Sequence, residues 1–200
     1  MREGVVIGLD VGTTNCKAIA LNYNGEIIAT RSQEYSILEV KPGWFEQNPE
    51  DVLNSVKEVL YDVSTDCDGN VLAISLSVQG EAVIPLSRRG DILHNTILGM
   101  DRRCHEQNEY LKKVVGEETL YYETGMPVHT INTLPKILWI KDEMPDLFKN
   151  TSHFVLYEDF LIHWLTGEFI VSDCLISRTQ MFSIKKKNWY EKTLGLLGKR

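Results

Sequence analysis

The chain has 200 residues, of which 43% are hydrophobic and 24% charged, an ordinary globular usage that excludes wholesale disorder. Its 21 Lys plus Arg against 28 Asp plus Glu leave a net charge of −7, which argues against a general nucleic-acid or acidic-membrane binder, because neutralising phosphates needs a basic face. The apolar run near the amino end stops at Asp10, and no stretch approaches the roughly 18 apolar residues of a membrane span, so neither a secretory leader nor a membrane anchor is predicted.

Val5 to Leu9 reads as a short buried strand, Lys17 to Leu21 as a second, and Glu26 to Ser32 as a third after the hairpin signal Asn24-Gly25. These three form an antiparallel meander. Asn48-Pro49-Glu50-Asp51 starts a helix: Asn48 caps it, Pro49 suits the first helical position, and acids fill the first turn. Val52, Val56, Val59, Leu60 and Val63 then recur on one helical face. Val71 to Val78 is a strand. Ala82 to Leu86 and Ile92 to Leu98 read as two more, turned at Arg88-Arg89-Gly90-Asp91.

After Asp101 the pattern becomes helical. Helices are expected at Arg103 to Val115, Pro135 to Asp142 with Thr133 as cap, Tyr157 to Leu165 with Gly167 as stop, and Trp189 to Leu197 before Gly198. Phe160, Leu161, Trp164 and Leu165 fall on one face, and Trp139 and Trp164 are expected in cores or packing surfaces. Residues of about 103–170 read as a helical insertion, with no linker-like stretch to mark a boundary. Lys185-Lys186-Lys187 is a solvated turn. Cys16, Cys67, Cys104 and Cys174 are scattered, without a C-x-x-C pair, and suit a reduced, cytoplasmic protein.

Asp10, Gly12, Thr13, Thr14 and Lys17 form the sharpest cluster. Asp10 ends a strand, where an isolated buried carboxylate would be costly without a partner or a cation. Gly12 allows close backbone approach and a positive φ. Thr13 and Thr14 offer hydroxyls and adjacent amides to phosphate oxygens, and Lys17 adds positive charge. The set suits a Mg-nucleotide, with Asp10 as the metal residue and Gly12, Thr13, Thr14 and Lys17 on the phosphates. The alternative is an ordinary hairpin turn. Neither a Walker loop nor G-x-G-x-x-G is present.

Strand-D-x-G-T-T-strand resembles the first phosphate motif of the actin-like ATPase superfamily. Gly43-Trp44-Phe45-Glu46-Gln47-Asn48-Pro49 resembles the G-W-x-E-Q-D-P stretch of the FGGY carbohydrate kinases, with Asn48 for Asp. Ser75 to Leu86, Met100-Asp101-Arg102-Arg103, Thr124-Gly125-Met126-Pro127, Leu134 to Trp139, Leu165-Thr166-Gly167-Glu168 and the Asp173, Ser177, Thr179 region follow in that family's order. Each short motif is weak alone, but in this order, from Val5 to Gly198, they are specific together. The resemblance implies an α/β fold of the ribonuclease-H-like, actin-like ATPase type, with a mixed central sheet starting β-β-β-α-β and a mostly helical second half. It implies an ATP- and Mg-dependent kinase acting on a small-molecule sugar, with a homodimer compatible with the full-length protein.

The resemblance also distributes roles. Gln79, Gly80 and Glu81 fall where the family contacts sugar, and Asp101 and Arg103 match its D-x-R. His129 and Asn132 follow the T-G-x-P segment, where members vary with substrate. The competing reading makes Gln79 to Glu81 a polar loop, Asp101 a helix cap, Arg103 a solvated side chain and His129 a surface residue. Trp44 and Glu46 are read as braces of their loop. Gly99 stands where many members have Trp, and Ile131 where glycerol kinases have another aromatic; both argue against glycerol. A ketopentose such as xylulose comes first, with gluconate or another sugar acid as alternative. No G-D-Q motif is present to supply the family's catalytic base, which is expected beyond Arg200 together with the second ATP-binding lobe. The chain therefore reads as an N-terminal domain or fragment. A non-catalytic sugar-sensing or assembly module, or another actin-like ATPase such as a chaperone, are the competing functions.

Overall fold

The structure of the protein, a computed structural model, describes residues 4–67 and 70–198. In chain order the elements begin with β1 (Val5–Val11), β2 (Asn15–Leu21), β3 (Ile27–Glu34), β4 (Leu38–Lys41), β5 (Trp44–Gln47), α1 (Pro49–Asp66) and β6 (Val71–Val78). There follow β7 (Ile84–Leu86), β8 (Thr96–Ile97), α2 (His105–Val114), α3 (Glu117–Thr124), α4 (Thr133–Glu143), α5 (Pro145–Asn150) and β9 (His153–Val155). The chain closes with α6 (Tyr157–Thr166), α7 (Asp173–Ile176), a 3₁₀ turn (Ser177–Thr179), β10 (Phe182–Ser183), β11 (Asn188–Trp189) and α8 (Glu191–Leu197). The chain divides into two compact units, residues 1–37 with 48–79, and residues 38–47 with 80–200.

The first unit is built on a mixed sheet of order β3-β2-β1-β6. β1 and β2 are antiparallel, and β6 lies parallel to β1 because α1 supplies the crossover. Val5, Ile7, Leu9 and Val11 alternate inward with Cys16, Ala18 and Ala20 of β2, and the apolar stripe of α1 covers that face. Asn48 caps α1 by accepting from the Glu50 amide at 3.0 Å. The opposite face carries Gly8, Asp10, Lys17, Ser75 and Ser77.

The second unit has β4-β5-β8 and β7-β9 as small sheets, and its core gathers Leu111, Leu120, Leu134, Ile137, Trp139 and Ile140 from the helices with Val83 and Ile97 from strands. Several local expectations change here. The strands read at Ala82 to Leu86 and Ile92 to Leu98 shrink to β7 and β8, joined by the single bridges Leu86–Ile92 and Val83–Ile97, because each has its ladder elsewhere: β7 with β9 and β8 with β5. The hairpin β4–β5, turned at Gly43 with φ 78°, carried no alternating pattern to announce it. Thr133 lies inside α4 and Asn132 occupies the cap position. The last helix starts at Glu191, since Trp189 pairs with Phe182. On α6 only Tyr157, Phe160 and Leu161 are buried, so Trp164, 37% exposed, is no core residue, whereas Trp139 is.

Candidate functional site

In the first unit, the end of β1 and the start of β2 place Asp10 opposite Lys17, while Asp10 pairs in register with Ser77 of β6. Asp10 is exposed rather than buried, and its Oδ1 accepts from the Ser77 hydroxyl at 2.9 Å. These side chains, with Gly8, Ile19 and Ser75, line an open hollow of about 300 Å³. The turn between the strands closes when the Gly12 amide donates to the Asn15 carbonyl at 2.9 Å. Gly12 does not adopt the positive φ expected of it. A Cβ there would stand 3.4 Å from the Asn15 carbonyl, an ordinary contact, so the fold of the turn by itself does not demand glycine. Thr13 is half-buried and Thr14 exposed.

Two residues brace this turn. The Tyr35 hydroxyl lies 2.7 Å from the Gly12 carbonyl and 2.8 Å from that of Asn15, and its amide donates to the Thr14 carbonyl at 3.0 Å. Sequence reasoning missed Tyr35, because a tyrosine just past a strand gives no periodic signal. Gln79 was expected with Gly80 and Glu81. Its side chain instead donates to the Gly12 carbonyl at 3.3 Å, and it belongs to the first unit while Gly80 begins a segment of the second.

In the second unit, Glu81 takes a left-handed backbone, φ 61°, which costs a non-glycine residue about 1 kcal/mol. The residue is 5% exposed and its Oε1 is ion-paired with Arg178. Gly80 lies close beneath that pair: a Cβ there would stand 3.1 Å from Arg178 Nε, so the guanidinium would have to give by a few tenths of an ångström. The other carboxylate oxygen faces Gly99, whose absent Cβ would lie 3.9 Å from Glu81 Oε2, 3.6 Å from the Gly80 carbonyl and 3.6 Å from Ile131 Cγ1. Arg178 was not among the sequence candidates; only its neighbours Ser177 and Thr179 carried a motif.

Asp101 and Arg103 fit neither the capping nor the solvated alternative. Both are buried, and α2 starts at His105, four residues after Asp101. Asp101 accepts from the amides of Phe45 at 2.6 Å and Arg103 at 2.8 Å. The Arg103 guanidinium also donates to Glu46 at 2.8 Å and lies over Trp44 and Trp139, with centroids 4.5 and 4.9 Å away. Trp44 and Glu46 thus act as braces. Two carboxylates, one guanidinium and two rings make a rigid block in which each charge is paired.

His129 is exposed, and its Nδ1 accepts from the Ile131 amide at 3.0 Å, which leaves the neutral ring's proton on Nε2. Asn132 is wholly buried; its side-chain amide donates to the carbonyls of Pro127 at 2.8 Å and His129 at 3.1 Å, and its Oδ1 has no partner among the described residues. It staples the loop from within rather than presenting its side chain on an open surface. Among the described residues no group of three or more His, Cys, Asp or Glu is placed to hold a metal ion, and no helix is long and apolar enough to cross a membrane.

Residues 5–199 match the family described as the FGGY family of carbohydrate kinases, N-terminal domain. Xylulose kinase of Bacillus subtilis (strain 168) is 32% identical over 200 residues, which are 96% of this chain and 39% of that protein. Glycerol kinase of Thermococcus gammatolerans is 30% identical over 98% of this chain and 41% of its own length. In solved structures the fold is matched by gluconate kinase from Lactobacillus acidophilus, with a TM-score of 0.94 and 27% identity over 99% of this chain and 40% of that one. The chain spans about two fifths of the length of the curated relatives it matches.

Proposed function

The chain belongs to the FGGY family of carbohydrate kinases as an N-terminal domain, and from that premise we propose that it is the sugar- and phosphate-binding part of an enzyme that transfers a phosphoryl group from Mg-ATP to a hydroxyl of a sugar or sugar acid. The observation that carries the reading is the state of Glu81: a buried carboxylate held through one oxygen by Arg178, with its second oxygen toward the space that Gly99 leaves open. A carboxylate fixed in this way accepts hydroxyl donors in charge-assisted bonds without reorganising. Arg178 is the positioning group, and the Asp101–Arg103 block and Asn132 hold the surrounding loops, with His129 Nε2–H as a further donor to substrate.

On the first unit, the residues fit a nucleotide-bound magnesium. Asp10 is a single exposed carboxylate beside a hydroxyl and a lysine, and Mg²⁺ usually takes one or two carboxylates and fills its remaining positions with water and phosphate. Asp10 would hold the ion, and Gly12, Thr13, Thr14 and Lys17 the phosphates, with Gln79 and Tyr35 keeping the turn in shape. The ion supplies neutralisation of phosphate charge. Such a kinase works in the cytoplasm, where ATP is kept and where four unbridged cysteines stay reduced.

The test is a titration of the chain with D-xylulose, D-gluconate and glycerol, followed by backbone amide shifts. An open half-site predicts millimolar affinity, about −4 kcal/mol, with responses at residues 80–81, 101–103 and 129–132. Glu81→Gln should weaken binding. Responses confined to other segments, or none with any sugar on a well-dispersed spectrum, would sink the proposal. For a longer enzyme carrying this domain, sugar-dependent ADP release is the matching measurement.

A further inference from the structure

Lys136 is wholly buried on α4, and among the described residues no carboxylate is hydrogen-bonded to it. Its Nζ donates to the carbonyls of Ile131 at 2.5 Å and Asn132 at 2.9 Å, with a longer contact of 3.4 Å to that of Glu81. An ammonium has three donors, and here each meets a main-chain acceptor. Burying a charge without an ion-pair partner is costly, and a methionine would fill the same volume without that cost. What the methionine would lack is the three donors. The Glu81 carbonyl belongs to the residue with the left-handed backbone, and Thr133 Oγ1 also donates to it at 3.2 Å. Ile131 and Asn132 end the loop that carries His129.

We infer that Lys136 is a positioning residue: its buried ammonium ties the Gly80–Glu81 turn to the His129–Asn132 loop, so that the two segments keep one shared geometry. The significance of that geometry for sugar rests on the function proposed above. Burial lowers the Lys136 pKa to about 8, against the opposing pull of Cys104, Glu81 and Asp101, the titratable groups that face it. Deprotonation near that pH relieves the buried charge and removes one of three donors, so the amides of both segments should report the same transition.

The experiment compares amide hydrogen exchange in the wild-type chain, Lys136→Met and a control, Lys141→Met, which removes a single bond from the same helix to the Leu196 carbonyl. Lys136→Met should raise exchange at least about tenfold at residues 80–82 and at 131–133, with amides of α6 unchanged and the control silent. Acceleration in one segment alone, in neither, or equally throughout the second unit would overturn the inference. If Lys136→Met does not fold, wild-type amide shifts from pH 7 to 9.5 decide: both segments must move with one midpoint close to 8, and independent or absent transitions count against it. The same samples receive D-xylulose and D-gluconate. Linked segments with no sugar response refute the proposed function and leave the linkage standing; sugar binding unaffected by Lys136→Met, with unlinked exchange, refutes the linkage alone.

Discussion

Arg103 closes its guanidinium on both carboxylate oxygens of Asp101, Nε lying 3.0 Å from each and Nη2 2.9 Å from Oδ2, with both side chains shut away from solvent. The pair stands two residues apart on a loop, so the chain itself holds the partners close. Glu46 and the rings of Trp44 and Trp139 complete the enclosure.

Removing Arg103 therefore strands two buried carboxylates. Arg103→Ala should destabilise the chain by about 3–5 kcal/mol. Arg103→Lys recovers little of this, because an ammonium does not reproduce the planar two-pronged contact. Urea unfolding of the three proteins checks it; a loss under about 1 kcal/mol for Arg103→Ala would show that the block is dispensable.

Asp10 is the opposite case. It is exposed, and its hydrogen-bond partner is the Ser77 hydroxyl. Asp10→Asn should leave stability within about 1 kcal/mol of wild type. In a longer enzyme carrying this domain and acting as proposed, it should cut turnover by about 10²-fold or more, the effect expected when a group stabilising phosphoryl charge is lost. Thermal unfolding and steady-state kinetics are read side by side, and a large stability loss with normal turnover would remove Asp10 from the nucleotide site.

Lys136 makes a signed prediction about alkaline stability. Its folded pKa of about 8 lies below the ordinary 10.5, so above pH 8 the unfolded chain binds the extra proton and stability rises with pH. Between pH 8 and 9 the gain is about 1 kcal/mol. Higher up, Cys104 opposes it: burial raises that thiol to about 11, so its contribution falls as pH climbs from 9 to 11. Lys136→Met should abolish the rise between pH 8 and 9, measured by urea unfolding at half-unit steps. An unchanged rise would assign it to another group.

Asp159 acts on the acid side. Burial raises its pKa to about 7, although its Oδ1 accepts from the Leu156 amide at 2.6 Å at the start of α6. A carboxyl raised in the folded state contributes stability fully present below its ordinary 3.8 and lost as pH rises toward 7. Asp159→Asn should keep the acceptor while removing that loss, so the difference in unfolding free energy between variant and wild type grows from pH 4 to pH 7. A constant difference would show that Asp159 does not titrate in that window.

Alternation and capping by themselves determined the first unit: β1 and β2 from apolar runs, α1 from Asn48-Pro49 and a valine stripe, β6 from an eight-residue apolar-rich run. They did so because those signals are local, and each strand's partner is close in sequence or one crossover away. The strand-turn motif likewise pointed to Asp10, and the family resemblance to Glu81. The tertiary structure alone decided which residues meet at each place. Gln79 went to the Gly12 turn, Tyr35 and Arg178 entered as supports, and Arg103 became a buried ion-pair partner. Lys136 shows the reason: its three acceptors come from residues 81, 131 and 132, and a buried lysine has the same letter as a solvated one. Whether a polar side chain contacts ligand or braces a loop depends on which distant carbonyls and carboxylates surround it, and that is set by packing of segments far apart in the chain.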